Sequence, residues 1–183
     1  MKDKEIKEAT RVIIGAGDRI VDGWVSTEIR DLDIRVRRDF ENYWKPETLD
    51  AILAEHVFEH LTLEDCKVAL NNCYDYLKPG GYIRLAVPDG YHVDKEYIEN
   101  VRPGGKGIGS EYHKFLYNYK SLSELLSNAD FNVKLLEYWD ERGEFHYREW
   151  DVADGYIYRS KDHDKRNKES PLSYTSLIVD AIK

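Results

Sequence analysis

The chain of 183 residues has few cysteines, no long apolar run and no excess of basic residues. Its two cysteines, Cys66 and Cys73, lie on one predicted helix, which excludes a disulfide framework and a Cys-x-x-Cys metal site. No apolar run approaches the roughly 20 residues that a membrane-spanning helix requires, so we do not expect a membrane protein. The 27 Lys and Arg are outnumbered by 35 Asp and Glu, and the net charge of −8 disfavours nucleic acid as a partner.

The first ten residues also lack the apolar core of a secretory signal, and we therefore expect a cytoplasmic protein. With 42% hydrophobic and 34% charged residues, the composition is that of a folded, globular chain. The length fits one domain, residues 1–183, that buries a full hydrophobic core.

Short apolar segments alternate with helical patterns along the first half of the chain, which is typical of a mostly parallel sheet with helical crossovers. Further extended segments follow in the second half. The predicted strands are Arg11–Gly15, Trp24–Glu28, Ile34–Arg38, Leu49–Glu55, Tyr82–Val87, Phe131–Trp139 and Leu172–Ile182. The pattern predicts an α/β fold with about seven strands.

The clearest helix signal follows Thr62, which forms a Thr-x-x-Asp capping box with Asp65. Apolar residues then recur at helical spacing, and the Lys-Pro-Gly-Gly sequence at residues 78–81 ends the pattern. A second capping box, formed by Ser121 and Glu124, predicts another helix. The β-α-β unit is therefore repeated along the chain.

Two stretches have no regular pattern. Residues 90–118 contain a cluster of glycines and no long apolar run, which indicates a lid or an insertion. Residues 143–171 combine aromatic residues with a charged run, and we expect a hairpin followed by a solvated loop.

Two glycines, Gly15 and Gly17, follow the first predicted strand with Ala16 between them. Glycine lets the backbone turn sharply and approach a ligand closely, although an ordinary strand-to-loop turn explains the pair equally well. Only a few residues separate Gly17 from Trp24, which leaves no room for a multi-turn crossover helix. Because a dinucleotide site needs that helix and a third glycine, a nicotinamide-dependent oxidoreductase is disfavoured.

Acidic and aromatic residues follow at the ends of the next three predicted strands, as Glu28, Asp39–Phe40 and Glu55–His56. Parallel strands deliver their carboxyl ends to one edge of a sheet, so we expect these groups to converge on one crevice. Glu28 can accept hydrogen bonds from both hydroxyls of a ribose, and Asp39 with Phe40 suits an adenine. The alternatives are a merely exposed acid for Glu28 and core packing for Phe40.

Two histidines, His56 and His60, are four residues apart, and each follows a glutamate, Glu55 and Glu59. This order differs from the His-Glu-x-x-His metal motif, in which both histidines flank the glutamate. No Cys, His or Asp at suitable spacing supplies a third ligand, so we expect no metal site and favour packing or hydrogen bonding for these histidines.

Three blocks of the sequence resemble class I S-adenosylmethionine-dependent methyltransferases. The central block contains LDAILAEHVFEHL, a helix and YLKPGGYIRLAVPD, which is similar to the family's strand, helix, turn and fifth strand. The block VIIGAGDRIVDGWVSTEI resembles a compact subgroup of the family, and SLSELLSNADFNVKLLEYW resembles the family's late helix and strand. The resemblance covers about residues 11–90 and 119–139.

The resemblance implies a Rossmann-like methyltransferase fold. This fold has a mostly parallel sheet of about seven strands with an antiparallel last strand, in a three-layer α/β/α arrangement. It also implies that S-adenosylmethionine binds across the strand ends. The cofactor-binding residues implied position by position are Gly15, Ala16, Gly17, Glu28, Asp39, Phe40, Glu55 and His56.

The reaction implied is an in-line methyl transfer to an unidentified small-molecule or modified-biomolecule acceptor. In such a reaction the protein mainly supplies alignment and a dry site. A hydroxyl acceptor would need a base, for which His56, His92 and His113 are the candidates. Arg19 stands where the third glycine would be, and the short first crossover keeps open a catalytically inactive, methyltransferase-like binding or scaffold protein. The oligomeric state is left open.

Overall fold

The computed structural model describes residues 2–168 and 172–183, and its described strands form one seven-stranded sheet. The strands are Arg11–Ile14 (β1), Val25–Thr27 (β2), Leu49–Glu55 (β3), Leu77–Pro88 (β4), Asn132–Trp139 (β5), Phe145–Tyr147 (β6) and Ser176–Ile182 (β7). Their spatial order is β2-β1-β3-β4-β7-β5-β6.

The first four strands are parallel, with β1 paired to both β2 and β3, and β3 paired to β4. Strand β7 runs antiparallel between β4 and β5, and β6 forms an antiparallel hairpin with β5. The predicted α/β class, the mostly parallel first half and the antiparallel last strand are therefore confirmed. The carboxyl ends of β1, β2 and β3 lie at one edge of the sheet.

Five α-helices accompany the sheet in the described residues. They are Lys2–Glu8 (α1), Arg37–Tyr43 (α2), Leu63–Tyr76 (α3), Lys95–Val101 (α4) and Tyr119–Ser127 (α5). Thr62 caps α3 as predicted, because its hydroxyl accepts the Asp65 backbone N–H at 3.1 Å. The cap of α5 is Asn118, and Ser121 is its capping-box partner, so this helix begins earlier than Ser121.

The predicted third strand, Ile34–Arg38, is wrong, since the chain enters α2 at Arg37. Phe40 and Trp44 lie one helical turn apart, and both are buried in the core. The backbone carbonyl of Ile34 accepts a hydrogen bond from the Asn72 side chain at 2.9 Å. Helical burial of two large aromatic side chains thus prevails over the weak alternation, and β6 supplies the seventh strand instead.

The two faces of the sheet are covered differently. The helices α1, α2, α3 and α5 pack with one face in a single hydrophobic cluster. On the other face, Trp24 and Ile157 pack with alternate residues of β1, β3 and β4. In the described residues this second layer is mainly irregular chain, because the short first crossover has no helix.

Arg84 of β4 anchors this irregular layer. The side chain is buried, pairs with Asp180 at 2.7 Å, and donates to the carbonyl oxygens of Asp151 and Gly155 at 3.2 and 2.9 Å. Its guanidinium also lies 5.0 Å from the centre of the Trp150 ring. One buried cation therefore satisfies backbone carbonyls that a regular helix would have paired internally.

The irregular stretches predicted from the sequence are only partly irregular. Residues 90–118 contain α4 and the 3₁₀ helix Ser110–Tyr112, and residues 143–168 begin with the predicted hairpin strand β6. The remainder of that predicted loop, residues 169–171, lies outside the described residues. Among the described helices, none combines the length and apolar character needed to cross a membrane.

Candidate functional site

The turn after β1 is tied to the end of β2. Gly15 and Gly17 have φ values of +58° and +57°, in a backbone region that residues other than glycine rarely adopt. The backbone N–H of Gly17 donates to Glu28 Oε1 at 2.5 Å. Strand pairing places Ile14 opposite both Thr27 and Ala54, so the residues that follow all three strands share one edge. The predicted convergence of Gly15, Gly17 and Glu28 is thus present.

A crevice of about 790 Å³ opens beside this turn. Its floor is the turn itself and the tip of β3, and its outer wall is an irregular segment near the end of the chain. The lining residues are Gly15, Ala16, Gly17, Asp18, Arg19, Glu55, His56, Tyr156, Tyr158, Arg159, His163, Asp164, Lys165 and Arg166. This space is large enough for a nucleoside-sized ligand.

Glu55, at the tip of β3, is buried and receives several donors. Arg19 lies 2.9 Å from its Oε2 atom, and the Arg159 side chain donates to Oε1 at 3.1 Å. The backbone N–H groups of Tyr158 and Arg159 donate to the same carboxylate at 2.9 and 3.1 Å. Burial lowers the pKa of Arg19, while Glu55 opposes that shift. Glu55 therefore fastens the outer wall of the crevice to its floor.

His56 follows Glu55 with a φ of +57°, a strained value for a residue with a side chain. Its Nδ1 atom lies 3.2 Å from Oε1 of Glu59, and its Nε2 atom is 3.0 Å from Oγ of Ser176. Burial raises the pKa of Glu59, but the neighbouring His56 ring opposes this and the net direction is downward. The Glu59 carboxylate and the His56 ring are therefore electrostatically coupled.

A second cavity of about 730 Å³ shares His56, Arg159 and Arg166 with the crevice. It is bounded by α4 and the glycine-rich segment after it, and His113 is also part of its lining. His56 thus stands at the boundary of two adjoining spaces, which is the position that a group acting between two ligands requires.

The other two candidate bases have different surroundings. His113 lies on the second cavity, and its Nδ1 atom is 2.7 Å from the carbonyl oxygen of Val101. His92 lines neither space; it stacks on Tyr97 with ring centres 3.9 Å apart. Burial lowers the pKa of His92 to about 4, because the charged ring would be desolvated. The structure brings His56 and His113 together and leaves His92 in a packing role.

The expected adenine contacts are not present at the crevice. Because α2 replaces the predicted strand, Asp39 and Phe40 lie on a helix instead of at a strand end. Phe40 is fully buried against Tyr76, with ring centres 4.9 Å apart, and Asp39 accepts the backbone N–H of Asp33 at 2.9 Å. The alternative of core packing holds for Phe40.

Sequence reasoning missed the outer wall of the crevice. Arg19 is noted in the sequence only as a missing glycine, and residues 156–166 only as part of an irregular stretch. About 140 residues separate Arg19 from Arg159, and no local spacing signal connects residues so distant in the chain. Metal-type side chains cluster twice in the described residues, at Glu59, His60 and His113 and at Asp140, Glu144 and His146.

The sequence matches a family model described as a methyltransferase domain over residues 13–136, which is more than half of the chain. The match spans β1 to β5 and therefore contains the glycine turn, Glu28 and the Glu55–His56 tip. Among curated proteins, no significant match was found.

Solved structures share this fold at low sequence identity. A SAM-dependent methyltransferase from Archaeoglobus fulgidus is 17% identical with a TM-score of 0.53, over 97% of this chain and 88% of that one. A SAM-dependent methyltransferase from Thermotoga maritima is 15% identical with a TM-score of 0.50, over 94% of this chain and 72% of that one. The aligned region extends over nearly the whole chain.

Proposed function

Because the chain belongs to the methyltransferase-domain family, we propose that it is an S-adenosylmethionine-dependent methyltransferase and that its cofactor lies in the 790 Å³ crevice. In this proposal Glu28 binds the ribose, and the backbone of residues 15–17 lies against the methionine part. The acceptor occupies the adjoining cavity, and the two ligands meet at His56.

The observation that carries the proposal is the hydrogen bond from Gly17 N–H to Glu28. It holds a carboxylate beside a turn of two glycines at the carboxyl edge of parallel strands, which is where open α/β sheets bind ligands. The bond uses Oε1 of Glu28, and a carboxylate has further lone pairs for ribose hydroxyls.

The residues present fit the cofactor in three further respects. A Cβ atom on Gly15 would lie 3.0 Å from Cγ2 of Val57, so the turn is closely packed on its inner side and favours glycine there. Arg19 lines the crevice, and we assign its guanidinium to the carboxylate of the methionine part. Ile29, directly after Glu28, is 66% exposed and offers an apolar surface for the adenine in place of Phe40.

The sulfonium of the cofactor supplies an activated methyl group, so the protein needs to align the acceptor and exclude water. The Tyr156–Arg166 wall encloses the crevice on its outer side and contributes to that exclusion. We assign His56 as the proton acceptor for a hydroxyl group, since it lines both spaces. The hydrogen bond between Nε2 and the Ser176 hydroxyl positions the ring until the acceptor replaces Ser176, and Glu59 lies 3.2 Å from Nδ1.

The second cavity favours a small polar acceptor, either a free molecule or part of a modified biomolecule. Its lining includes charged side chains of both signs, Lys106 and Arg166 beside Asp94 and Glu96. The overall charge of −8 continues to disfavour nucleic acid, and a cytoplasmic location remains part of the proposal.

Calorimetry with S-adenosylhomocysteine tests the cofactor site. Wild-type protein is expected to bind, and Glu28→Gln is expected to weaken binding by at least about tenfold, because charged hydrogen bonds to ribose contribute roughly 1.5–3 kcal/mol. Glu8→Gln, at an exposed position of α1, is the matched control and should bind as wild type does. Equal affinity in both variants would show that Glu28 does not bind the cofactor. No binding by wild type at millimolar ligand would reject the crevice as a cofactor site.

A turnover assay tests the acceptor side. Release of S-adenosylhomocysteine with a panel of small hydroxyl compounds should depend on His56, and His56→Gln should lower kcat with little change in cofactor affinity. His92→Gln is the control for this variant. Because His92 lies outside both spaces, this control should leave kcat unchanged.

A further inference from the structure

Three side chains with metal-binding atoms converge beside the second cavity. The ligand atoms of Glu59, His60 and His113 all lie within 4.8 Å of one another. Glu59 and His60 belong to the 3₁₀ helix Phe58–His60, which follows the strained turn at His56. The backbone N–H of Lys114 donates to the Glu59 carbonyl at 2.6 Å, and this bond brings the neighbouring His113 into the cluster.

The Glu59 carboxylate is buried without a satisfactory partner. The residue has no exposed surface, and neither carboxylate oxygen makes a hydrogen bond within the described chain. The His56 Nδ1 atom lies 3.2 Å from Oε1, but its alignment does not meet the geometry of a hydrogen bond. A buried carboxylate in this state is costly unless a cation or donors compensate for the lost water.

His113 is oriented with one nitrogen available to a ligand. Its Nδ1 atom lies 2.7 Å from the Val101 carbonyl oxygen, which can only accept, so Nδ1 carries the hydrogen. The neutral ring then has its lone pair on Nε2. Metal-binding histidines commonly have this arrangement, with the second nitrogen donating to a carbonyl or carboxylate oxygen.

We propose that Glu59, His60 and His113 bind one divalent transition-metal ion of the zinc class. Two imidazoles and one carboxylate are a known ligand set for Zn²⁺, and imidazole favours such ions over Mg²⁺ or Ca²⁺. A tetrahedral ion with bonds of about 2.0–2.2 Å holds its ligand atoms roughly 3.4 Å apart. Binding would therefore draw the present atoms together by no more than about 1.5 Å, within reach of side-chain rotation.

The second cluster, Asp140, Glu144 and His146, is explained without an ion. The Asp140 carboxylate accepts hydrogen bonds from the Arg142 side chain and from the backbone of Arg142 and Glu144, and its Oδ2 atom lies 3.0 Å from His146 Nε2. Its negative charge is thus compensated by Arg142. This cluster serves as an internal control because it offers similar residue types in a satisfied arrangement.

A metal held by three protein groups keeps a fourth position for water or a substrate oxygen. Because His113 lines the second cavity, an acceptor oxygen is the natural occupant of that position. This role rests on the proposed function, whereas metal binding by the three side chains does not.

The test uses the full chain, stripped with a chelator and titrated with Co²⁺ and then Zn²⁺ in the absence of cofactor. We expect one Co²⁺ per chain with visible absorption typical of four or five ligands, displaced by Zn²⁺. Glu59→Gln, His60→Ala and His113→Ala should each weaken binding by at least about tenfold. His146→Ala should bind as wild type does, and thermal unfolding without metal verifies that every variant is folded.

The proposal is overturned if wild type binds no Co²⁺ at 100-fold excess, or if only His146→Ala abolishes binding. It is also overturned if the three cluster variants bind with unchanged affinity. Calorimetry with S-adenosylhomocysteine in the presence of chelator measures the cofactor site separately. Loss of one kind of binding therefore leaves the other interpretable.

Discussion

The Arg19 guanidinium lies 2.9 Å from the Glu55 carboxylate and joins the turn after β1 to the tip of β3. Because Arg159 reaches the same carboxylate from the outer wall, one buried acid connects three parts of the chain distant in sequence. The side chain of Arg19 is mostly buried, while that of Arg159 is 39% exposed. The two arginines should therefore differ in their contribution to stability.

We expect Arg19→Met to lower the free energy of unfolding by roughly 1–3 kcal/mol, since it removes a mostly buried cation that is paired with the buried Glu55 carboxylate. Arg159→Met, the matched control, should cost less, because solvent already screens that pair. Urea unfolding of both variants measures the difference. An equal or reversed order would show that Glu55 depends mainly on its backbone donors.

Gly15→Ala should destabilise the protein more than Gly17→Ala does. Both residues have positive φ, which costs an alanine about 1 kcal/mol, but only at Gly15 would the new Cβ lie 3.0 Å from a Val57 methyl group. Gly104 has a φ of +64°, and a Cβ added there would meet no atom within 4 Å. Gly104→Ala therefore measures only the free-energy cost of placing an alanine at positive φ. Thermal unfolding gives the order, and similar losses for all three variants would contradict the contact with Val57.

Phe40→Leu should reduce stability and leave cofactor affinity unchanged. The ring is fully buried among Trp44 and Tyr76, so its loss costs roughly 1–3 kcal/mol of unfolding free energy. Stability and S-adenosylhomocysteine binding are measured on the same preparation. A selective fall in affinity without a fall in stability would restore the adenine role expected from the sequence.

Glu137 should make the protein less stable as pH rises from about 4.5 to about 7. Burial raises its pKa from the ordinary 4.5 to about 7, although the backbone N–H of Lys161 and the indole of Trp150 donate to it. The folded state then binds the proton more tightly than the unfolded state does. The contribution of Glu137 to the free energy of unfolding is therefore complete below the unfolded pKa and is lost as pH rises through the folded pKa.

Glu137→Gln should remove most of this decline, which is on the order of 3 kcal/mol for a shift of this size. Unfolding by urea at several pH values between 4.5 and 8 measures the slope in both proteins. Burial also raises the pKa of Asp89, to about 6, so Asp89 likewise makes the protein less stable as pH rises. The Glu137→Gln variant should therefore keep a smaller decline of stability with pH. Identical slopes in wild type and variant would contradict the assignment to Glu137.

The parts of the fold that follow local rules were predictable. The apolar runs of β1, β3 and β4, the Thr62 cap and the absence of a first crossover helix are each set by residues adjacent in sequence. The meeting of Gly17 with Glu28 was predictable for a related reason, because parallel strands bring their carboxyl ends to one edge. These features depend on backbone geometry and short spacing alone.

Other parts required the tertiary structure. Ile34–Arg38 alternates weakly, and only the burial of Phe40 and Trp44 against α3 decides for a helix. Arg19 and Arg159 of the outer wall both contact Glu55, although they are 140 residues apart in the sequence. The spacing of Glu59 and His60 in the sequence indicates no third metal-type side chain, and the hydrogen bond from the Lys114 backbone N–H to the Glu59 carbonyl brings His113 beside them.

By itself, then, the amino-acid sequence determined the α/β class, the family and the glycine–carboxylate edge, because each is encoded by neighbours along the chain. Only the folded chain decided what covers the crevice, which histidines stand beside it and where Phe40 lies. Those outcomes depend on packing and on pairing of buried charges between distant segments, and sequence spacing does not record such contacts.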